Sequence, residues 1–395
     1  MPHRRGVLLL GVLLLTADPL SAQRLSLARP LDSLVQTAQR DSLDPTAQYE
    51  LGIGYWFNRK GRLADSAFRR AIEIEPKFAR GYLALSYLAY ARHAKLAKQE
   101  YQGRVPDSLK AVVDEANAFY RRAFLIDPLV DLRVLGLVLG ADDFVMVDGR
   151  DAGGFIAALI NGFQSFWAGQ YESAYDFLQR AYATVPAGER AKRVPLIARW
   201  YHGLAAAHVD QYDAAIVDFE QLLEHDLVRE KTDSLLRFSM LPSNEVRYVL
   251  AAILQRAGRT DRAAALYQEV LTNNLGLYMA HAQLATISED KHHYADAIAE
   301  RQRALEVQPD DSGLLFDLGS TLARARRFAD ARDALLKSAA ANPHNPRVPY
   351  TLGQVQLILG EREAARASLE RFVAIAPTNF GAMVKEVRQQ LAELK

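Results

Sequence analysis

Four abutting stretches of 34 residues decide the fold: NEVRYVLAAILQRAGRTDRAAALYQEVLTNNLGL (244–277), YMAHAQLATISEDKHHYADAIAERQRALEVQPDD (278–311), SGLLFDLGSTLARARRFADARDALLKSAAANPHN (312–345) and PRVPYTLGQVQLILGEREAARASLERFVAIAPTN (346–379). Their seventh places hold Leu250, Leu284, Leu318 and Leu352. Their eighth places are small: Ala251, Ala285, Gly319 and Gly353. Their twentieth places are Ala263, Ala297, Ala331 and Ala365. Three of the four stretches end near a proline: Pro309, Pro343 or Pro377.

The same pattern recurs upstream in windows opening at Pro45, Ala79, Phe155 and Leu196, where the twentieth-place alanines are Ala64, Ala116, Ala174 and Ala215. The window at Ala79 needs 18 additional residues to stay in step. Eighth places are again small, at Gly52, Ser86, Gly162 and Gly203, and Pro76, Pro128 and Pro186 close three windows.

Apolar residues at helical spacing fill both halves of each window, and a polar or glycine-bearing turn divides them. Asn58 to Gly61, Ala257-Gly258-Arg259 and Leu359-Gly360-Glu361 are such turns. Each window therefore predicts a helical hairpin. The small eighth and twentieth residues let its helices approach, and the terminal proline stops the second helix. Phe68, Tyr120, Phe219 and Tyr267 are expected to fill the space between successive hairpins. Asn161 and His202 replace the seventh-place leucine, and Arg301 replaces the large packing residue, so looser packing is expected in those hairpins. One hairpin cannot bury its apolar face alone, so stacking is required.

Composition narrows the chemistry. The chain has 395 residues, 48 Lys plus Arg against 47 Asp plus Glu, and no cysteine. Near-neutral charge argues against nucleic acid as the main partner. The missing thiols exclude disulfides, zinc-finger ligation and thiol catalysis. No phosphate-binding G-x-x-x-x-G-K-[ST] loop, H-E-x-x-H pair or G-x-S-x-G elbow is present. Ser288 to Lys291 fits S-x-x-K but has no companion motif. No cofactor is expected.

Outside the repeats, His3, Arg4 and Arg5 precede an apolar run from Val7 to Leu15, then Ser21-Ala22-Gln23. This reads as a signal peptide cut after Ala22, too short to span a bilayer. A periplasmic or secreted protein, with no stable membrane span after cleavage, is expected. The organisation then reads as leader 1–22, a lead with part of a helix at 23–44, and two repeats over 45–130. A connector at 131–154 follows, then two repeats over 155–229, a connector at 230–243, four repeats over 244–379 and a capping helix at 380–395.

Leu51-Gly52, Tyr55, Ala64, Phe68, Ala71 and Pro76 together resemble the tetratricopeptide repeat. The resemblance implies an all-α, right-handed α-solenoid of about eight hairpins with a C-terminal cap. It further implies a non-enzymatic scaffold or adaptor of the cell envelope that binds a protein or peptide partner. In this family the first helices line a concave groove. Transferred to this chain, the groove candidates are Tyr49, Trp56, Tyr87, Tyr90, Phe163, Phe166, Trp200, Tyr248, Phe316 and Tyr350. Aromatic rings make good anchors because they bury much area at small entropic cost. The competing expectation is that these rings pack between hairpins.

Two further functions are weighed. Asp142, Asp143, Asp148 and Asp151 could serve an envelope hydrolase or carbohydrate-processing enzyme, which needs two carboxylates held across a cleft. Their spacing does not match a 12-residue calcium loop. Self-association as a structural subunit is the other reading. Asp290, His292 and His293 are weighed as a metal site and set aside as an ordinary polar turn.

Overall fold

A computed structural model describes residues 30–100, 107–130, 154–167, 169–190, 194–232 and 243–394. The expected leader, the four connector aspartates and residues 233–242 lie outside the described residues.

Among the described residues, helix α1 (Leu31–Arg40) precedes eight helix pairs. The first three are α2 (Pro45–Phe57) with α3 (Gly61–Ile74), α4 (Ala79–Glu100) with α5 (Asp107–Ile126), and α6 (Phe155–Trp167) with α7 (Tyr171–Ala183). Then follow α8 (Leu196–His208) with α9 (Tyr212–Thr232), α10 (Ser243–Arg256) with α11 (Thr260–Asn273), and α12 (Met279–Asp290) with α13 (Tyr294–Val307). The last two are α14 (Ser312–Arg324) with α15 (Phe328–Ala341) and α16 (Arg347–Ile358) with α17 (Arg362–Ile375), before α18 (Gly381–Glu393). No strand occurs among the described residues. The fold is an all-α solenoid of paired helices.

The chain divides into two compact units. One contains residues 127–273, where α8 packs on α7 and α10 on α9. The other joins residues 29–126 with 274–395. Within it α2 packs on α1 and α4 on α3, while α14 packs on α13, α16 on α15 and α18 on α17.

The repeat pattern has a direct steric cause. Ala64, Ala116, Ala174, Ala215, Ala263, Ala297, Ala331 and Ala365 are all 0% exposed. The eighth place faces the large residue sixteen positions on. A β-carbon on Gly52 would lie 2.5 Å from the Phe68 ring, and one on Gly353 2.7 Å from Leu369. Phe68, Phe219 and Phe372 are fully buried, and each stabilises the fold by about 1.5–3 kcal/mol.

Asp44 caps α2, accepting from Thr46 N at 2.9 Å, with Pro45 in the first helical position. Among the described residues, seven hairpin turns each carry one left-handed residue. Glycine fills that place at Gly169, Gly258 and Gly360, but Arg59, Asp210, His292 and Arg326 also adopt it, at φ between 57° and 60°.

The expectation of looser packing at the polar substitutions is corrected. His202 is 3% exposed, and its Nδ1 pairs with Asp218 on α9. Tyr182 on α7 stacks on the His202 ring at 4.3 Å and donates to Asp218 Oδ1 at 3.2 Å. Burial pushes the Tyr182 hydroxyl up, so it remains a donor. Arg301 is also buried, donating to the Ala282 carbonyl at 3.2 Å and to Thr286 Oγ1 at 3.3 Å. Asn161 is likewise buried. Around His202 and Arg301 polar networks replace the apolar contacts. At the C-terminus, α18 buries Val387 against Leu369 and Phe372 and leaves Lys385, Glu386, Arg388 and Gln389 exposed.

Candidate interaction surface

The first helix of each hairpin carries the ten ring positions, and their surroundings divide them. Phe163, Phe166, Trp200 and Tyr248 are buried. Phe166 lies against Tyr171 and Tyr201, Trp200 meets Phe219 edge-on at 5.1 Å, and Tyr248 meets Tyr267 at 5.8 Å. Phe163 packs on Tyr201. These four rings fill the inside of the stack and offer no surface. The groove expectation is corrected for them: Tyr201 of the next first helix covers Phe163 and Phe166, and second-helix rings cover Trp200 and Tyr248.

The other six are half-buried. Tyr49 leans on Phe68 and Phe78, Tyr350 on Phe372, and Phe316 on the core around Leu335. Trp56, Tyr87 and Tyr90 form a patch across α2 and α4. Trp56 and Tyr87 meet edge to face, centroids 5.6 Å apart. The Tyr90 hydroxyl donates to Asn117 Oδ1 on α5, and burial pushes that hydroxyl up. The indole Nε1 of Trp56 finds no acceptor among the described residues. An indole N–H normally has a partner when covered.

The polar candidates are accounted for locally. His292 is exposed, with Nδ1 3.3 Å from the Tyr294 hydroxyl. Among the described residues no group of three or more His, Cys, Asp or Glu side chains could hold a metal ion. Arg324 pairs with Glu289 at 2.7 Å and Arg327 with Asp330 at 2.7 Å. His208 stacks on Tyr171 at 3.9 Å. Among the described residues no helix is long and apolar enough to cross a membrane.

Sequence reasoning missed the charged residues that join the two stretches of the discontinuous unit: Lys77, Arg122, Asp311 and Asp317. No local signal marks them, because their partners lie 240 and 189 positions away.

Residues 283–346 and 316–380 match the family model described as tetratricopeptide repeat. Residues 283–380 carry tetratricopeptide repeats. The chain is 25% identical over 154 residues to Protein O-mannosyl-transferase TMTC1 of Homo sapiens, a match covering 38% of this chain and 17% of that protein. It is 26% identical over 95 residues to Superkiller protein 3 of Schizosaccharomyces pombe, covering 24% and 7%. The chain thus matches less than a fifth of the length of these curated relatives. Among solved structures, the C-terminal part of a TPR repeat-containing protein from Cytophaga hutchinsonii is 13% identical with a TM-score of 0.45, covering 58% of this chain and 83% of that one. MamA from Desulfovibrio magneticus RS-1 is 15% identical with a TM-score of 0.37, covering 49% and 96%.

Proposed function

We propose that the chain is a non-enzymatic protein–protein interaction scaffold, exported to the cell envelope, that takes an apolar or aromatic segment of a partner protein. The repeat architecture supports the scaffold reading. Stacked hairpins bury a continuous core and leave long helix faces for partners. Export rests on the basic start and short apolar run before Ala22.

The observation that carries the reading is the Trp56–Tyr87–Tyr90 patch. Its rings are half-buried on two adjacent first helices, and its indole N–H lacks an acceptor within the described residues. An apolar or aromatic partner segment laid across α2 and α4 would cover the half-open rings of the patch. The test places a photo-crosslinking phenylalanine analogue at Tyr90 in living cells. The expected result is one discrete crosslinked product in the envelope fraction, lost on Trp56→Ala while the melting curve is kept. No product, or one insensitive to Trp56→Ala, would overturn the assignment. N-terminal sequencing of the mature chain should begin at Gln23.

A further inference from the structure

The unit formed by residues 29–126 with 274–395 is discontinuous in sequence, and charged side chains stitch its two stretches together. Lys77, in the turn between α3 and α4, lies along α14. A β-carbon on Gly313 would come within 3.2 Å of Lys77 Cε and 3.3 Å of its Cγ, so the stem rests on the bare backbone there. The ammonium reaches Asp317, four residues on and therefore on the same face of the helix. Asp317 Oδ2 also accepts from Arg301 at 3.2 Å.

A second pair works beside it. Asp311 caps α14 through Oδ1, which accepts from Leu314 N at 3.0 Å. Its other oxygen takes the Arg122 guanidinium, which also donates to the Tyr278 hydroxyl and lies 5.9 Å from the Tyr82 ring centre. The Arg122 and Asp311 side chains are 18% and 8% exposed. Asn342 Nδ2 approaches the Ile74 carbonyl at 3.5 Å. The seam is therefore polar, whereas consecutive hairpins bury apolar faces between them. Charge pairs hold it, and charge pairs weaken with salt where water reaches them.

We infer that Lys77 and Arg122 form an electrostatic latch that holds segment 29–126 over the N-terminal face of α14 and denies that face to any other polypeptide until the latch opens. Two cations from one stretch meet two carboxylates on one helix end. Gly313, flat where a side chain would stand, admits the Lys77 stem. A partner occupying Asp311 and Asp317 would have to displace both cations.

The latch can be tested without knowing a partner. The native chain has no cysteine, so Arg80→Cys with Asp310→Cys gives two specific spin-label sites, both exposed and one on each side of the seam. Pulsed electron paramagnetic resonance should give one short, narrow distance at low salt. Lys77→Glu with Arg122→Gln should reduce the short-distance population by about tenfold with unchanged helical circular dichroism, and Lys77→Arg should keep it. Raising sodium chloride on the unaltered background should move the population the same way, which keeps the test valid if the charge variant loses helix. A broad distance at low salt, or a short distance indifferent to both salt and Lys77→Glu, would overturn the latch.

Discussion

Arg301 Nη1 lies 3.2 Å from Asp317 Oδ2, at the place where other hairpins keep Phe68, Phe219 or Tyr267. A cation thus stands in for a ring, held by Asp317 and by Glu289 at 3.6 Å. Removing it takes one cation from two largely covered carboxylates and leaves each with a single one, Lys77 for Asp317 and Arg324 for Glu289. Arg301→Ala should cost about 3 kcal/mol in urea unfolding. Arg324→Ala, whose side chain is 61% exposed, should cost about 1 kcal/mol or less. Equal costs would show that burial does not set the value of these pairs.

Gly203 is fixed by what it faces. Its missing β-carbon would lie 2.8 Å from the Phe219 ring and 3.2 Å from Asp218 Cβ. Gly203→Ala should lower stability by about 1–3 kcal/mol through overpacking. Gly381, at the start of α18, has nothing within 4 Å of the same position. Gly381→Ala should be neutral or raise stability by up to about 1 kcal/mol. Thermal melts of the two variants check the contrast.

The hairpin turns offer a stabilising change. Arg326 sits at φ 60° and His292 at φ 60°, where a side chain crowds its own backbone. Arg326→Gly and His292→Gly should each raise stability by about 1 kcal/mol, and their effects should add because the turns are separate. Gly258→Ala, at φ 74°, should lower stability by a similar amount.

Acid should loosen the seam near His344. Burial, and then repulsion from Arg70, hold its imidazole below the ordinary histidine range. The folded chain therefore resists the proton more than the unfolded chain, whose histidine titrates near 6.5. The unfolded state binds more protons as pH falls below that value, so stability is flat above it and declines beneath it. His344→Gln should remove this part of the decline. Melting temperature recorded between neutral and mildly acidic pH reads the difference.

The hairpins were legible because their logic is local. Gly52 and Phe68, or Gly353 and Leu369, lie within one window, so the size of one residue dictates the size allowed at the other. The twentieth-place alanines recur for the same reason. The polar substitutions were visible as departures but not as networks. His202 reads as a lost leucine until Asp218 and Tyr182 are seen beside it. The ring positions were found by their spacing, yet Trp200 and Trp56 occupy equivalent faces with opposite fates. Phe219 covers the first, and the second keeps a half-open edge.

By itself the amino-acid order determined an all-helical chain of nested hairpins, their spacing and the small residues on which each pair closes. Helical periodicity fixes which side chains share a face. It says nothing of what later covers that face. Only the tertiary structure decided that Tyr248 is sealed while Tyr87 is half-open, and that Lys77 and Arg122 meet carboxylates 240 and 189 positions away. Such meetings depend on where distant hairpins arrive in space, a sum of many small stacking rotations that no single window contains.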